Sequence, residues 1–464
     1  MNILSRVIPA LFALALFAGA EAHAGEVIVN TGKKVGTIKP MHAVNNGPVI
    51  AKAKQKIGNF DAYKAARFPF ARTHDASFYW QHTVDITEIF PDFNADETDP
   101  ASYDFKLTDL YLANILKSGT KVFYRLGQRI ESAEVKYGVH PPKDYQKWAR
   151  ICEHIIRHFN EGWADGHHMD IRYWEIWNEA DLGSADGRWK KGMSPNWNGS
   201  EEDYFRLYDI SYRHLKKCFP DLQFGGPALC GDEAWCERFL RYVSRHKVGL
   251  DFFSWHLYTL NPEEILAKGQ RLRTLLDRYG YASTPSFLDE WNFVTGWTDD
   301  FPYSLEVVGN IKGAAFVSAA MQVAQDGPID MLMYYDARPR TAFNGLFDFR
   351  TMTPLPSYYA LYGWNRLYDL QDQVETVVQD MPGVYATAAS KDGKTVLLLS
   401  RYSGDNNVIA PCLAKISIPG AKDGTVIAHA TDRFHLFTEI PLEVKDGQVD
   451  LWLEPDSFWY LSFE

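Results

Sequence analysis

From about residue 41 to residue 335 two hydrophobic rhythms alternate along the chain. Short runs of β-branched and aromatic residues are followed by longer stretches with apolar positions three and four apart. The short runs predict strands at Met41–Asn45, Phe70–His74, Lys121–Arg125, Ile171–Trp177, Gln223–Pro227, Asp251–His256, Ser286–Glu290 and Asp330–Tyr335. The longer stretches predict helices near Leu107–Lys117, Asp144–Phe159, Glu202–Cys218, Pro262–Tyr279, Ile311–Gln325 and Ser357–Leu367. Strands alternating with helices make βα units and a parallel sheet. Several of the strands are apolar throughout, as in a sheet buried on both faces. Eight such strands predict an α/β fold, a (β/α)8 TIM barrel.

After about Leu367 the helical period disappears. Short strands separated by turns take over, at Lys394–Ser400, Ala414–Ile418, Gly424–Ala428, Gln448–Leu453 and Ser457–Ser462. Lys391-Asp-Gly and Lys445-Asp-Gly read as hairpin turns. This is a C-terminal β-sandwich-like domain, to which Glu26–Asn30 adds a strand. The predicted division is therefore a barrel over residues 38–367 and a small all-β domain over 25–37 and 368–464. Ahead of both, Arg6, the apolar run Val7–Ala18 and Ala22-His23-Ala24 have the layout of a cleavable signal peptide over residues 1–24. The run is too short to span a membrane. A secreted or periplasmic protein is expected, with no membrane insertion once the signal is removed.

The charge balance, 48 basic against 59 acidic residues, gives −11 and argues against nucleic acid as a partner. Aromatic residues are abundant, at 14%, which suits sugar stacking as well as core packing. Trp189 and Trp297 fall in βα loops where either use is open. Five cysteines make an odd count, and only Cys230 and Cys236 are near enough in sequence to suggest a disulfide. None has zinc-ligand spacing. His167-His168 precedes the fourth strand, on the face opposite a barrel mouth, and reads as loop. No metal or cofactor is expected.

Barrel enzymes work at the C-terminal ends of their strands. There the sequence places Glu179, directly after strand four, and Glu290, at the end of strand seven. These strands lie on opposite sides of a mouth. Two carboxyl groups flanking one bond are what glycoside hydrolysis requires. Glu179 is expected as acid/base and Glu290 as nucleophile. Asn178 is placed for a sugar 2-hydroxyl, Arg72 to hold Glu290 ionised, and His256 or Tyr258 to orient it. His74, Trp291, Asn292 and Asp336 complete the expected carbohydrate-binding set. Glu175 and Asp289 read as structural, with Asp289 facing away from the barrel axis.

Trp174-Glu-Ile-Trp-Asn-Glu179-Ala-Asp-Leu182 resembles the acid/base signature of glycoside hydrolase family 39, a clan A family of β-xylosidases and α-L-iduronidases. Arg72-Thr-His74 and Leu288-Asp-Glu290-Trp-Asn292 resemble its strand-two and nucleophile segments. The resemblance implies a retaining glycosidase, β-xylosidase-like, with α-L-arabinosidase, β-galactosidase or α-L-iduronidase activity as alternatives on the same scaffold. The long βα loops Ile130–Pro142 and Gly183–Gly199 suggest a pocket closed for exo action. A catalytically silent sugar-binding barrel is the competing class, but it predicts loss of a carboxylate and both are present. The chain departs from the family pattern at Val44-Asn-Asn-Gly47, at His74-Asp75 where His-Gly is usual, and at Tyr334-Tyr335-Asp336. All three lie where the sugar would bind.

Overall fold

The computed structural model describes residues 24–463 apart from 52–55, 79–80, 184–189, 191 and 297. The predicted signal segment apart from Ala24, together with Trp189 and Trp297, thus lies outside the described residues. A closed barrel of eight parallel strands forms the first layer. Its strands are β1 (Ala43–Asn45), β2 (Phe70–Arg72), β3 (Lys121–Leu126), β4 (Tyr173–Ile176), β5 (Gln223–Leu229), β6 (Phe253–Thr259), β7 (Ser286–Phe293) and β8 (Met331–Tyr334). The helices that follow them in turn are α1 (Phe60–Ala66), α2 (Lys106–Lys117), α3 (Tyr145–Glu161), α4 (Glu201–Cys218), α5 (Glu233–Arg245), α6 (Pro262–Arg278), α7 (Ile311–Asp326) and α8 (Pro356–Leu370). The start signals are local: Asp144, Ser200, Asp232, Asn261 and Asn310 each accept a backbone N–H at the head of the helix that follows.

The barrel interior is stratified. Phe123, Phe252, Phe287, Met331 and Met333 close its lower end as an apolar plug. Above the plug the side chains become polar: Arg72, Glu175, Ser254, His256, Asp289 and Glu290 are all buried. A buried polar layer is costly unless its members satisfy one another, so its hydrogen bonding is the first thing to account for at the mouth.

A second unit is built from the C-terminal strands β9 (Asp372–Gln379), β10 (Val384–Lys391), β11 (Lys394–Arg401), β12 (Cys412–Ser417), β13 (Gly424–Thr431), β14 (Thr438–Val444), β15 (Gln448–Leu453) and β16 (Ser457–Phe463). The N-terminal strand Ala24–Thr37 is inserted between β9 and β12, antiparallel to one and parallel to the other. These nine strands hydrogen-bond in one continuous sheet.

The two units share a core through α7 and α8. Every residue of α7 from Gly313 to Gln325 is buried, because the helix lies between β7 on one side and β10, β11 and β16 on the other. That position explains its near-uniform apolar composition. Among the described residues no single helix is long and apolar enough to cross a membrane. At the seam the Ser400 hydroxyl meets Ser318 and accepts from Gln322, each at 2.6 Å, and Tyr460 donates to the Ala360 carbonyl at 2.7 Å. The Tyr460 ring lies so close to α8 that a Cβ on Gly363 would come within 2.1 Å of it. Gly363→Ala is therefore expected to destabilise the protein by about 1–3 kcal/mol through overpacking. Thermal unfolding checks this; an unchanged melting temperature would contradict the described seam.

Candidate active site

Arg72, at the end of β2, is fully buried at the base of the mouth and donates in several directions. Its Nη1 reaches Glu290 Oε2 and Asn45 Oδ1, each at 3.1 Å. Its Nη2 reaches Asn178 Oδ1 at 2.6 Å and Glu175 Oε2 at 2.7 Å. Its Nε lies 2.8 Å from Glu175 Oε2 and 3.0 Å from Asp289 Oδ2. One guanidinium thus faces three carboxyl groups. Burial opposes its charge, but the carboxylates more than compensate and hold it cationic.

Three anions on one cation would leave net buried charge. Keeping one carboxyl neutral reduces that excess from two negative charges to one. Burial, reinforced by the Glu175 charge, pushes Asp289 well above the carboxylate range. Burial acts on Glu175 as well, yet Arg72 and a hydrogen bond from Asp289 pull it below its ordinary value. Asp289 therefore carries a proton and donates it to Glu175. That proton gives one Asp289 oxygen a hydrogen to donate and one Glu175 oxygen a hydrogen to accept, in a layer where both residues have oxygens without another hydrogen-bond partner.

The inward position of Asp289 corrects the expectation that it faces away. Leu288 pairs with Trp255, but Glu290 pairs with His256, so Asp289 is the extra residue of a β-bulge. A bulge interrupts the in-out alternation. It lets the adjacent residues Asp289 and Glu290 both meet Arg72.

Glu179 follows a sharp exit from β4. Trp177 and Glu179 both adopt left-handed backbone conformations, at φ 74° and 48°, which cost of order 1–3 kcal/mol each when imposed on a non-glycine residue. The Trp177 ring holds the turn. It lies over Gly127 (φ 122°), where a Cβ would meet it at 2.8 Å. Its indole N–H donates to the Asn196 carbonyl at 3.0 Å. The Asn196 amide in turn donates to Glu179 Oε2 at 2.6 Å. The other oxygen, Oε1, lies 2.7 Å from His256 Nδ1. The Cys230 thiol also bonds to this carboxyl. Asp181 places Cys230 by accepting the backbone N–H groups of Cys230, Gly231 and Asp232 at 2.8–3.1 Å.

The two glutamates have different surroundings. Burial pushes Glu179 up to about 7, against the Cys230 thiol, Arg72 and Asn196, which favour the anion. Burial raises Glu290 too, but it receives a direct Arg72 bond and a 2.5 Å bond from the Tyr258 hydroxyl. His256 stands between them, with Nδ1 toward Glu179 and Nε2 3.7 Å from Glu290 Oε2. Burial drives His256 down to about 4, so it is neutral at pH 7 and adds no charge to either neighbour. A carboxylate oxygen of Glu179 and one of Glu290 lie within 4.8 Å of each other.

The structure brings Arg72, Asn178, Glu179, His256, Tyr258 and Glu290 together. Of the pair expected to orient Glu290, Tyr258 does so, whereas the close contact of His256 is with Glu179. His74 is buried nearby, with neither ring nitrogen in a hydrogen bond. Burial, then Arg72 and Arg125, keeps it neutral. Three expected sugar contacts are turned to other work. Trp291 is fully buried and packs edge-on against Tyr334, 5.5 Å between centroids, and beside Phe316. The Asn292 amide donates to the Tyr335 and Phe343 carbonyls at 2.7 and 2.6 Å, and so anchors the loop after β8. Asp336 accepts from the Arg338 backbone and side chain at 2.6 and 3.1 Å.

Cys230 and Cys236 do not form a disulfide; the loop geometry that presents Cys230 to Glu179 takes it elsewhere. Asp75 adopts φ 48°, a left-handed conformation suited to glycine. Its carboxylate accepts from Ile130 N–H and Tyr335 OH at 3.0 and 3.2 Å, which clasps three loops around the mouth. Cys230 and Asn196 are the site residues that the sequence did not signal. Neither ends a barrel strand in a motif that carries chemistry.

Residues 63–374 match glycosyl hydrolases family 39. The chain belongs to this family. It is 27% identical over 295 residues to a β-xylosidase of Geobacillus stearothermophilus, a match covering 57% of this chain and 53% of that enzyme. It is 25% identical over 383 residues to a β-xylosidase of Caldicellulosiruptor saccharolyticus, covering 76% and 70%. The alignment thus spans about half the length of the first of these relatives. Among solved structures, a glucosidase from Croceicoccus marinus superposes with TM-score 0.75 at 21% identity, over 95% of this chain and 99% of that one. A monomeric β-xylosidase from Caulobacter crescentus CB15 gives 0.68 at 16%, over 96% and 99%. These superpositions extend the fold likeness to the C-terminal sheet.

The neutral state assigned to Asp289 is open to test. Asp289→Asn preserves its shape and charge state, and is expected to change stability by no more than about 1 kcal/mol and to leave most of the activity. If Asp289 were the ionised partner of Arg72, removing its charge would cost about 3–5 kcal/mol. Urea unfolding distinguishes the two.

Proposed function

We propose that this family 39 protein is a retaining exo-glycosidase, with Glu290 as nucleophile and Glu179 as acid/base, acting on a β-xyloside or a closely related glycoside. The observation that carries the reading is the pairing of the two carboxyls within 4.8 Å in unlike environments. Retaining enzymes hold their carboxyl groups about 5–5.5 Å apart, whereas inverting enzymes need about 6.5–9.5 Å to admit a water.

In the first step Glu179 gives its proton to the leaving oxygen as Glu290 attacks the anomeric carbon. The glycosidic C–O bond breaks and a glycosyl ester forms on Glu290. In the second step Glu179, now a carboxylate, takes a proton from water, and that water displaces Glu290. A carboxyl near 7 is suited to both halves of this cycle. Arg72 and Tyr258 favour the anionic Glu290 that the first step requires. Arg72 also fixes the Asn178 carbonyl oxygen, and this leaves the Asn178 amide hydrogens unengaged for the sugar's 2-hydroxyl. His74, buried with both nitrogens unengaged, is the other sugar-contact candidate.

End-on action is supported by two loops that join at one side of the mouth. Glu131 N–H donates to Pro195 O at 2.9 Å and Asn198 N–H to Val139 O at 2.8 Å. The xyloside reading leans on the two curated relatives, both named β-xylosidases. Export is part of the proposal. Its support is the apolar run Val7–Ala18 followed by Ala22-His23-Ala24.

A panel of aryl glycosides (β-xyloside, β-glucoside, α-L-arabinoside, β-galactoside, α-L-iduronide) tests the substrate. The pH dependence tests the roles. Glu179 must be protonated for the first step, so kcat/KM is expected to fall about tenfold per pH unit above about pH 7. Glu179→Gln is expected to remove that limb and to lower kcat/KM by about 10²–10⁴-fold on poor leaving groups. Persistence of the limb in Glu179→Gln would contradict the assignment.

A further inference from the structure

Away from the mouth, at the outer side of the barrel, Asp109 of α2, His158 of α3 and His167 of the loop between α3 and β4 converge. His158 Nε2 lies 2.9 Å from Asp109 Oδ1, and His167 Nε2 lies 3.3 Å from the same oxygen. The three ligand atoms fall within 4.8 Å of one another.

The hydrogen bonding of the two imidazoles is informative. His158 Nδ1 lies 2.9 Å from the Trp163 carbonyl oxygen, which can only accept. Nδ1 therefore carries hydrogen, which leaves Nε2 as the ring atom turned to Asp109 and placed to bind a cation. His167 Nε2 is buried and makes no hydrogen bond. A backbone carbonyl on the far nitrogen is how metal-bound histidines are commonly oriented and their tautomer fixed. The His158 ring is further held by Phe105, stacked at 3.5 Å between centroids with 3° between planes. The His167 ring stands at 89° to it.

We infer that Asp109, His158 and His167 form a divalent transition-metal site, best suited to zinc, which ties α2 and α3 to the loop that leads into β4. Two imidazoles and one carboxylate are a familiar zinc donor set, with a fourth position left for water. Bonds of about 2.0–2.1 Å in a tetrahedron place ligand atoms roughly 3.3–3.4 Å apart. The 2.9 and 3.3 Å separations require shifts of only a few tenths of an ångström or less. A solvent-open cavity of about 720 Å³, lined by Asp104, Asp109, His158 and Asp165, gives the ion a route in. The site takes no part in the reaction at the mouth. It braces the lower half of the barrel wall.

Titration calorimetry and thermal unfolding with zinc chloride, on full-length protein first freed of metal by chelator, test the inference. One zinc per chain is expected, with a rise in melting temperature of several degrees. Cobalt is expected to give the strong visible absorption of a tetrahedral centre. His167→Ala, at a side chain 38% exposed, is expected to fold, to lose the zinc-dependent rise and to keep kcat/KM. His167→Gln serves as the second variant should the first fail to fold, with the same expectation. No zinc-dependent rise in the wild type would overturn the inference and leave Asp109 and His158 as an ion pair only. A rise that survives in the His167 variant would overturn it too, and would point to another group such as Glu153, His214 and Cys218.

Discussion

The mouth depends on one buried cation. Arg72 links β1 through Asn45, the β4 segment through Glu175 and Asn178, and β7 through Asp289 and Glu290. Removing one partner from a buried ion network strands the others, at a cost of about 3–5 kcal/mol. The plug of phenylalanines and methionines beneath closes the barrel to water from below. Around Arg72 three carboxyl groups face its charge. A protonated Asp289 lowers the local excess of negative charge, and its proton bonds to Glu175 beside the guanidinium.

The same logic separates the two glutamates that face the cavity. They are equally buried, so burial alone would raise both alike. Specific neighbours make the difference. Glu290 takes a guanidinium hydrogen and a phenol hydrogen, each bonding best to an anion. Glu179 takes an amide, a thiol and a neutral imidazole, none of which brings a full charge. His256 is central to this because burial drives it down to about 4. A charged imidazolium there would pull Glu179 toward ionisation. Two like residues thus acquire unlike proton affinities through their partners.

Much of this was legible from the chain. The barrel strands carry their signature as apolar runs, and Glu179, Glu290, Arg72 and Tyr258 sit at strand ends in motifs with chemical content. Four features were not legible. The bulge at Asp289 inverts one residue's facing, and no local pattern marks an inserted residue in a run that is buried throughout. Trp291 and Asn292 carry functional-looking letters beside Glu290, yet the first packs outward on α7 and the second anchors a loop. Cys230 and Asn196 reach Glu179 from loops set by Asp181 and Trp177, contacts that exist only once the barrel has closed. The helices α1 and α5 also escaped notice, since α1 is short and α5 mixes charged residues densely with its apolar stripe.

The proposed mechanism requires Glu290 to form a covalent glycosyl ester. The direct measurement is mass spectrometry of the protein after incubation with an activated 2-deoxy-2-fluoro glycoside of the preferred sugar, followed by peptide mapping. One added glycosyl unit per chain, carried by Glu290 and absent from Glu290→Gln, is the predicted result. A label on any other residue, or no label together with an inverted first-formed product, would contradict it.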